Sequence, residues 1–294
     1  MIVVTTPTGQ IGSQLLRQLL DQEKEIRVIV RDASRLDHSV RERVETISGS
    51  HDDPAVLDKA LPGAEALFWL VPPNPQAPSA EAHYLHFAGA GAAAIARHEV
   101  GHVVGVSSAG HGWPAPAGLL SAAFAMDAEL GKSGAAYRAL SMPFYMENLL
   151  RQLDAIREQG AFYLTCAGDL PLASIATRDI AGAAADLLTD LSWTGQENLP
   201  VFSPDRLTPD GMAEVISQEL GRPVTYRRMS IDDYASLLRS QGASDQTVKD
   251  MTEAFAAQDH GIYDPDWAIA KPTPTDFRTW CRKVLKPAAD ARAT

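Results

Sequence analysis

The N-terminal segment Ile2-Val3-Val4-Thr5-Thr6-Pro7-Thr8-Gly9-Gln10-Ile11-Gly12 joins two patterns. A β-branched run gives way to a turn of Thr, Pro and Gly, after which Ile11, Leu15, Leu16, Leu19 and Leu20 recur at helical spacing. The segment therefore predicts strand, turn, helix. Gly9 and Gly12 fall where a dinucleotide pyrophosphate needs close backbone approach and a helix N-terminus aimed at its charge. A lone GxxG describes any tight βα turn equally well, so its meaning depends on the elements around it.

Working outward, Ile26-Arg27-Val28-Ile29-Val30 predicts a second strand, followed by a charged crossover over 31–45. Further apolar strands are expected at 44–47, 66–71 and 102–106, with an Ala- and Gly-rich helix over 79–98 whose small residues suit close packing on a sheet. This alternation, with strands apolar almost throughout, predicts an α/β fold: a doubly wound parallel sheet of the Rossmann type, covered on both faces. The pattern continues with a helix over 121–133, a strand over 136–140, and helices over 146–158 and 180–188. Asp179 is expected as N-cap or first-turn acid of the last of these.

From about Val201 the texture changes. Pro204, Pro209 and Pro223 punctuate short helices over 210–220 and 231–241, one strand over 224–229, and a closing helix over 278–285 before a tail of Ala, Asp and Arg. Residues 1–200 are thus expected to form the NAD(P)-binding domain and residues 201–294 a smaller C-terminal α/β substrate-binding portion.

Composition narrows the function. The 294 residues are 45% hydrophobic and 21% charged, with 37 acidic against 26 basic side chains and a formal net charge of −11. A chain this acidic, with no basic block, argues against nucleic acid as a partner. No apolar run reaches the roughly 18–20 residues that span a bilayer. Two cysteines, Cys166 and Cys281, make neither a disulfide framework nor a zinc cluster, which suits a reducing cytoplasm. His83 and His86 lie three residues apart with no third ligand nearby, so no metal is expected. A homo-oligomer is left open.

At the tip of the second strand stand Arg31 and Asp32. An acid there accepts from the ribose 2′-hydroxyl of NAD, whereas a guanidinium meets a 2′-phosphate. Arg31 favours NADP(H), and Asp32 keeps NAD(H) open. Thr6, Thr8, Gly9, Gln10, Ile11 and Gly12 are the expected cofactor cradle. The loops after the fourth and fifth strands add Val71, Pro72 and Pro73, and Ser107 and Ser108, because ligands lie across the carboxyl ends of such strands.

The turn resembles the TGATGxxG signature of the NmrA-like family of atypical short-chain dehydrogenases/reductases, with Thr6 in place of the first glycine. The resemblance extends to 67–73, to Ser107-Ser108-Ala109, to Pro143-Phe144-Tyr145-Met146-Glu147-Asn148, which is similar to the family's PGFFMEN segment, and to Thr177-Arg178-Asp179-Ile180-Ala181. It implies NAD(P) binding and, in several relatives, quinone reduction. Some relatives act in antibiotic pathways, reducing aromatic polyketide quinones whose dihydroquinones then react with oxygen in a monooxygenase-like hydroxylation.

The Tyr-x-x-x-Lys pair of ordinary short-chain dehydrogenases is absent: the matching helix reads Ser121-Ala122-Ala123-Phe124-Ala125-Met126-Asp127-Ala128-Glu129. Hydride transfer to a quinone needs no strong positioned acid, since the quinol anion is stabilised by its ring. An NAD(P)H-dependent oxidoreductase acting on a quinone-like aromatic is therefore expected. His111 and Tyr145 are the candidate catalytic residues, and Trp113, Phe144, Tyr145, Met146 and Asn148 the candidate substrate contacts. Trp69 and Phe124 read as core. A non-catalytic dinucleotide-binding sensor of the NmrA type is the alternative. A sugar-nucleotide epimerase or conventional carbonyl reductase lacks its acid/base residues here.

Overall fold

The N-terminal segment forms β1 (Ile2–Thr5) and α1 (Gln10–Asp21) in a computed structural model that describes residues 1–291. Alternation continues through β2 (Ile26–Val30), α2 (His38–Arg41), β3 (Glu45–Ser48), α3 (Pro54–Ala60), β4 (Ala66–Trp69), α4 (Ala80–Arg97), β5 (His102–Ser108), α5 (Leu119–Gly131) and β6 (Ala136–Met142). Next come β7 (Phe144–Tyr145), β8 (Ala161–Leu164), β9 (Leu172–Ile175), α6 (Thr177–Thr189) and β10 (Gln196–Phe202). The chain ends with β11 (Arg206–Leu207), α7 (Pro209–Leu220), β12 (Thr225–Arg228), α8 (Ile231–Ser240), α9 (Asp245–Asp259), α10 (Asp264–Trp267), β13 (Lys271–Pro272), α11 (Phe277–Trp280) and α12 (Lys286–Asp290). The last three residues of the expected tail lie outside the described residues.

Eight strands form one parallel sheet in the order β13-β10-β6-β5-β4-β1-β2-β3. The chain reverses its direction of winding between β1 and β4, and it is at the carboxyl ends of such a pair that a crevice opens. Alternate side chains explain the layers. Val4, Val28, Phe68, Val104 and Leu140 face α1 and α6. Val3, Ile29, Leu67, Trp69, Val103 and Ala139 face α3, α4 and α5. Both faces are buried, which is why the strands lack a polar side. The small residues of α4 do what their size allows: a Cβ on Gly91 would lie 2.5 Å from the Trp69 ring, so the indole occupies that space.

The expected helix over 146–158 is instead a 3₁₀ segment, Met146–Gln152, and a single π-type turn, Ala155–Gln159. Tertiary bonds override its periodicity. Gln152 donates to the Tyr163 carbonyl at 2.9 Å and accepts from its amide at 2.8 Å, and Glu147 is drawn to the start of α6. Likewise 278–285 is α11 followed by a π-type turn. Strands β7, β8, β9, β10, β11 and β13 lie beyond those expected from sequence.

The smaller unit draws on both sides of residue 200. β8 pairs with β12, and β9 pairs with β7 and β11. Its core gathers Met146, Leu149, Phe162, Met212, Ile216 and Trp280. β13 returns to the edge of the main sheet beside β10.

His51, between β3 and α3, is 6% exposed, with its ring 4.9 Å from Trp69 and 4.6 Å from Phe87. Burial pulls its imidazole down from 6.5 to about 4, against the opposing charge of Asp52. Between those values the unfolded chain binds the proton that the folded one refuses, so stability rises with pH through this window. The shift corresponds to ~3 kcal/mol. Urea unfolding at pH 4.5 and pH 7 is expected to show this loss toward acid in the natural chain and a smaller one in His51→Leu; equal losses would refute it.

Candidate active site

The crevice begins at the β1–α1 turn. Thr6 has φ of +52°, a left-handed conformation costly for any residue with a Cβ. Anchoring hydrogen bonds offset that cost: Thr6 Oγ1 donates to the Leu70 carbonyl at 2.8 Å, and Thr5 Oγ1 donates to the Phe68 carbonyl at 3.0 Å while accepting from the Leu70 amide at 2.9 Å. The end of β1 is thereby tied to the end of β4, across the reversal point of the sheet.

Helix α1 starts at Gly9 with no side-chain cap and no acidic residue in its first turn. The opening amides of a helix have no intrahelical acceptor, so those of Gln10, Ile11 and Gly12 are available to an anion. A Cβ on Gly12 would lie 2.2 Å from the Thr6 carbonyl oxygen, and only glycine permits this approach. The turn thus fits a diphosphate by its backbone. Ile11 contributes only main chain, because its side chain is in the core, whereas Thr8 is partly exposed.

At the tip of β2 the carboxylate of Asp32 is committed locally. It accepts from the Ser34 amide at 2.9 Å and the Ser34 hydroxyl at 2.7 Å, bonds that hold it below the usual range for Asp. Arg31 is exposed and has no ion pair among the described residues. The free group at this corner is therefore a guanidinium.

After β4, Val71 is packed in the core, the Pro72 carbonyl accepts from His83 Nε2 at 2.9 Å, and Pro73 is exposed. His86 lies 3.5 Å from Asp52 instead. Among the described residues no group of three His, Cys, Asp or Glu side chains is placed to hold a metal.

Past β5 lies a polar cluster that the sequence pattern did not reveal. Asp127 on α5 is 7% exposed and accepts from Ser107 Oγ, from His111 Nε2 at 2.9 Å and from Tyr137 Oη at 2.6 Å. Tyr137 reaches it from β6 across Gly105, where a Cβ would lie 2.2 Å from the phenol oxygen. Burial and the Asp127 carboxylate push that phenol well above the usual value. One signal was available: Asp127 sits on the apolar stripe of α5 with Ala123, Met126 and Leu130, and a buried charge requires partners. Helix α5 contains neither Tyr nor Lys.

Ser107 is thus bound to Asp127, and Ser108 Oγ donates to the Ala109 carbonyl at 3.0 Å. As cofactor contacts, both hydroxyls are already engaged within the protein. His111 sits between Gly110 (φ +100°) and Gly112 (φ +85°) and packs on Phe124 at 4.3 Å. Its Nδ1 is buried without a partner among the described residues. Phe124, expected as core, therefore flanks the candidate catalytic imidazole.

Burial raises three phenols above their usual value. Tyr84 and Tyr263 reach about 12, and Tyr145 is raised further. Tyr145 can donate a hydrogen bond, but no lysine equips it as a base. Phe144, Tyr145 and Asn148 are partly buried, and Trp113 packs against the apolar cluster that includes Ala109, Leu120 and Ile262. Met146 departs from expectation: it has no exposed surface and belongs to the core of the smaller unit, since the irregular segment turns it inward. Glu147 accepts from the Thr177 amide at 3.0 Å and from Trp280 Nε1 at 3.1 Å, fixing the segment on α6.

A family model described as the NmrA-like family matches residues 1–280. An NAD(P)H azoreductase of Xenophilus azovorans is 28% identical over 87% of this chain and 86% of its own length. Quinone oxidoreductase 2 of Escherichia coli is 27% identical over 92% of this chain and 93% of its own. A solved NADPH-dependent quinone oxidoreductase from Escherichia coli, complexed with NADPH, superposes with a TM-score of 0.76 at 23% identity, covering 97% of this chain and 100% of that one, a likeness of fold.

Gly12→Ala is expected to cost about 1–3 kcal/mol, because the new methyl must displace the Thr6 carbonyl. Denaturant unfolding checks this, and a variant as stable as the natural chain would contradict the close approach.

Proposed function

The chain belongs to the NmrA-like family, and on that premise we propose that it is an NAD(P)H-dependent reductase of quinone-like and azo aromatic acceptors, using NADP(H) in preference to NAD(H). The observation that carries this reading is a dinucleotide cradle with unspent helix amides beside an α5 that lacks the Tyr/Lys pair. Full-length relatives named as an azoreductase and a quinone oxidoreductase support it.

In this reading the amides of 10–12 bind the diphosphate, and Arg31 takes the 2′-phosphate that the committed Asp32 leaves to it. The cofactor, once bound, supplies hydride. Trp113, Phe144 and Tyr145 flank a flat acceptor and exclude water, Asn148 and the protonated Tyr145 orient its oxygens, and His111 handles the proton. The smaller unit, largely residues 201–294, closes over the acceptor. Two buried, unbridged cysteines suit the cytoplasm, and among the described residues no helix is long and apolar enough to cross a membrane.

A finer form of the proposal takes the acceptor as an aromatic polyketide quinone of antibiotic biosynthesis, whose dihydroquinone consumes oxygen in a monooxygenation. The aromatic side chains around His111 and Tyr145 support a ligand of that size.

Anaerobic oxidation of NADPH with naphthoquinone, anthraquinone and azo acceptors tests the reductase reading, and mass spectrometry of products formed in air tests oxygen uptake. Acceptor-dependent turnover is expected; tight dinucleotide binding without turnover would favour the sensor. Arg31→Glu is expected to raise the Kd for NADPH by ~10–100-fold, the loss of one charge-assisted contact, with little effect on NADH. Equal losses for both would overturn the phosphate assignment.

A further inference from the structure

We propose that Asp127 and His111 form a proton relay that suits this chain to acceptors whose reduced anion is strongly basic, azo compounds foremost, rather than to quinones alone. The inference rests on the reductase reading above and specifies its substrate class.

A quinone that receives hydride becomes a phenolate-like anion, weakly basic and able to take its proton from water. An azo bond is different. Hydride taken from the reduced nicotinamide forms an N–H bond at one nitrogen, and the N=N π bond breaks so that its electron pair resides on the other. That nitrogen anion is far more basic than a phenolate and needs a positioned acid. Protonation completes a hydrazo product and leaves oxidised dinucleotide, balancing atoms and charge.

Asp127 is built to position such an acid. Its carboxylate receives the hydroxyls of Ser107 and Tyr137, so it acts toward His111 only as an acceptor, and Nε2 must carry a hydrogen. The remaining ring nitrogen, Nδ1, is then the proton-exchanging atom. It is buried without a partner, a condition that costs about 1–3 kcal/mol until an acceptor supplies one. The imidazolium N–H bond breaks as the second N–H bond of the product forms, and the neutral ring regains its proton from water.

Groups on several elements frame the imidazole. Asp127 pairs with it from α5, Asp266 on α10 accepts from the adjacent Gly110 amide at 2.6 Å, and the nearby phenols Tyr137 and Tyr263 stay neutral. Among the described residues His111 is the one basic side chain within ion-pair distance of Asp127. Asp127 is thus a positioning residue, and His111 the group that meets the acceptor.

The test compares a monoazo dye with a naphthoquinone, each reduced anaerobically by the full chain with NADPH. His111→Ala is expected to lower the azo-to-quinone ratio of kcat by ~10²-fold or more, the usual worth of a general acid. Added imidazole is expected to restore part of the azo rate, and the solvent deuterium isotope effect on that rate to fall. Asp127→Asn is expected to act in the same direction and to shift the tautomer of His111 seen by 15N NMR. If that buried substitution prevents folding, Tyr137→Phe removes one donor to Asp127 while keeping its ring, and fluorescence titration with NADPH verifies that the site is intact.

Equal loss of both rates, no azo turnover by the natural chain beside quinone turnover, or no rescue by imidazole would overturn the relay and leave standing the reading as a quinone reductase. No turnover of either acceptor would remove that reading and the relay with it.

Discussion

A carboxylate placed inside a packed α/β layer must find donors or lose several kcal/mol to desolvation. Asp127 finds them on three neighbouring segments: Ser107 on β5, Tyr137 on β6 and His111 on the loop that follows β5. Meeting that demand fixes the strand spacing at Gly105, the ring orientation of His111 and the engagement of Ser107. The same bonds leave one buried nitrogen, His111 Nδ1, without a partner at the carboxyl end of the sheet. The polar cluster therefore links the packing of the layer to the chemistry at its rim.

Carboxylates also join the smaller unit to the sheet. Asp179 accepts from the Thr275 amide and hydroxyl, each at 2.9 Å; Asp250 accepts from the Ala80 amide at the start of α4; Asp205 accepts from the Phe277 amide at the start of α11. With Glu147 on α6, three of these four acids meet the amide-rich N-terminus of a helix, where negative charge is favoured and free amides need acceptors.

These contacts explain which features were legible in advance. The β1–α1 turn, the alternation of strand and helix through β6 and the packing role of the Ala/Gly run on α4 follow from periodicity and from the space a glycine leaves. Asp179 was recognised near the start of its helix, yet its carboxylate serves Thr275, far away in the chain. The helix expected over 146–158 forms within those bounds but winds as 3₁₀ and π turns, and its side chains bond to α6, β8 and Trp280. Met146 follows that winding, moving from the expected pocket into the core.

By itself the sequence determined the doubly wound sheet and the backbone cradle, since apolar periodicity and glycine sterics act over a few residues and need no distant partner. Arg31 belongs with these, although only the local capping of Asp32 by Ser34 shows why the guanidinium is left free. The tertiary structure alone decided the Asp127 cluster, the raised tyrosine phenols and the composition of the smaller unit. Each depends on which side chains meet across elements and on how far water is excluded from them, and neither is encoded in the spacing of residues along the chain.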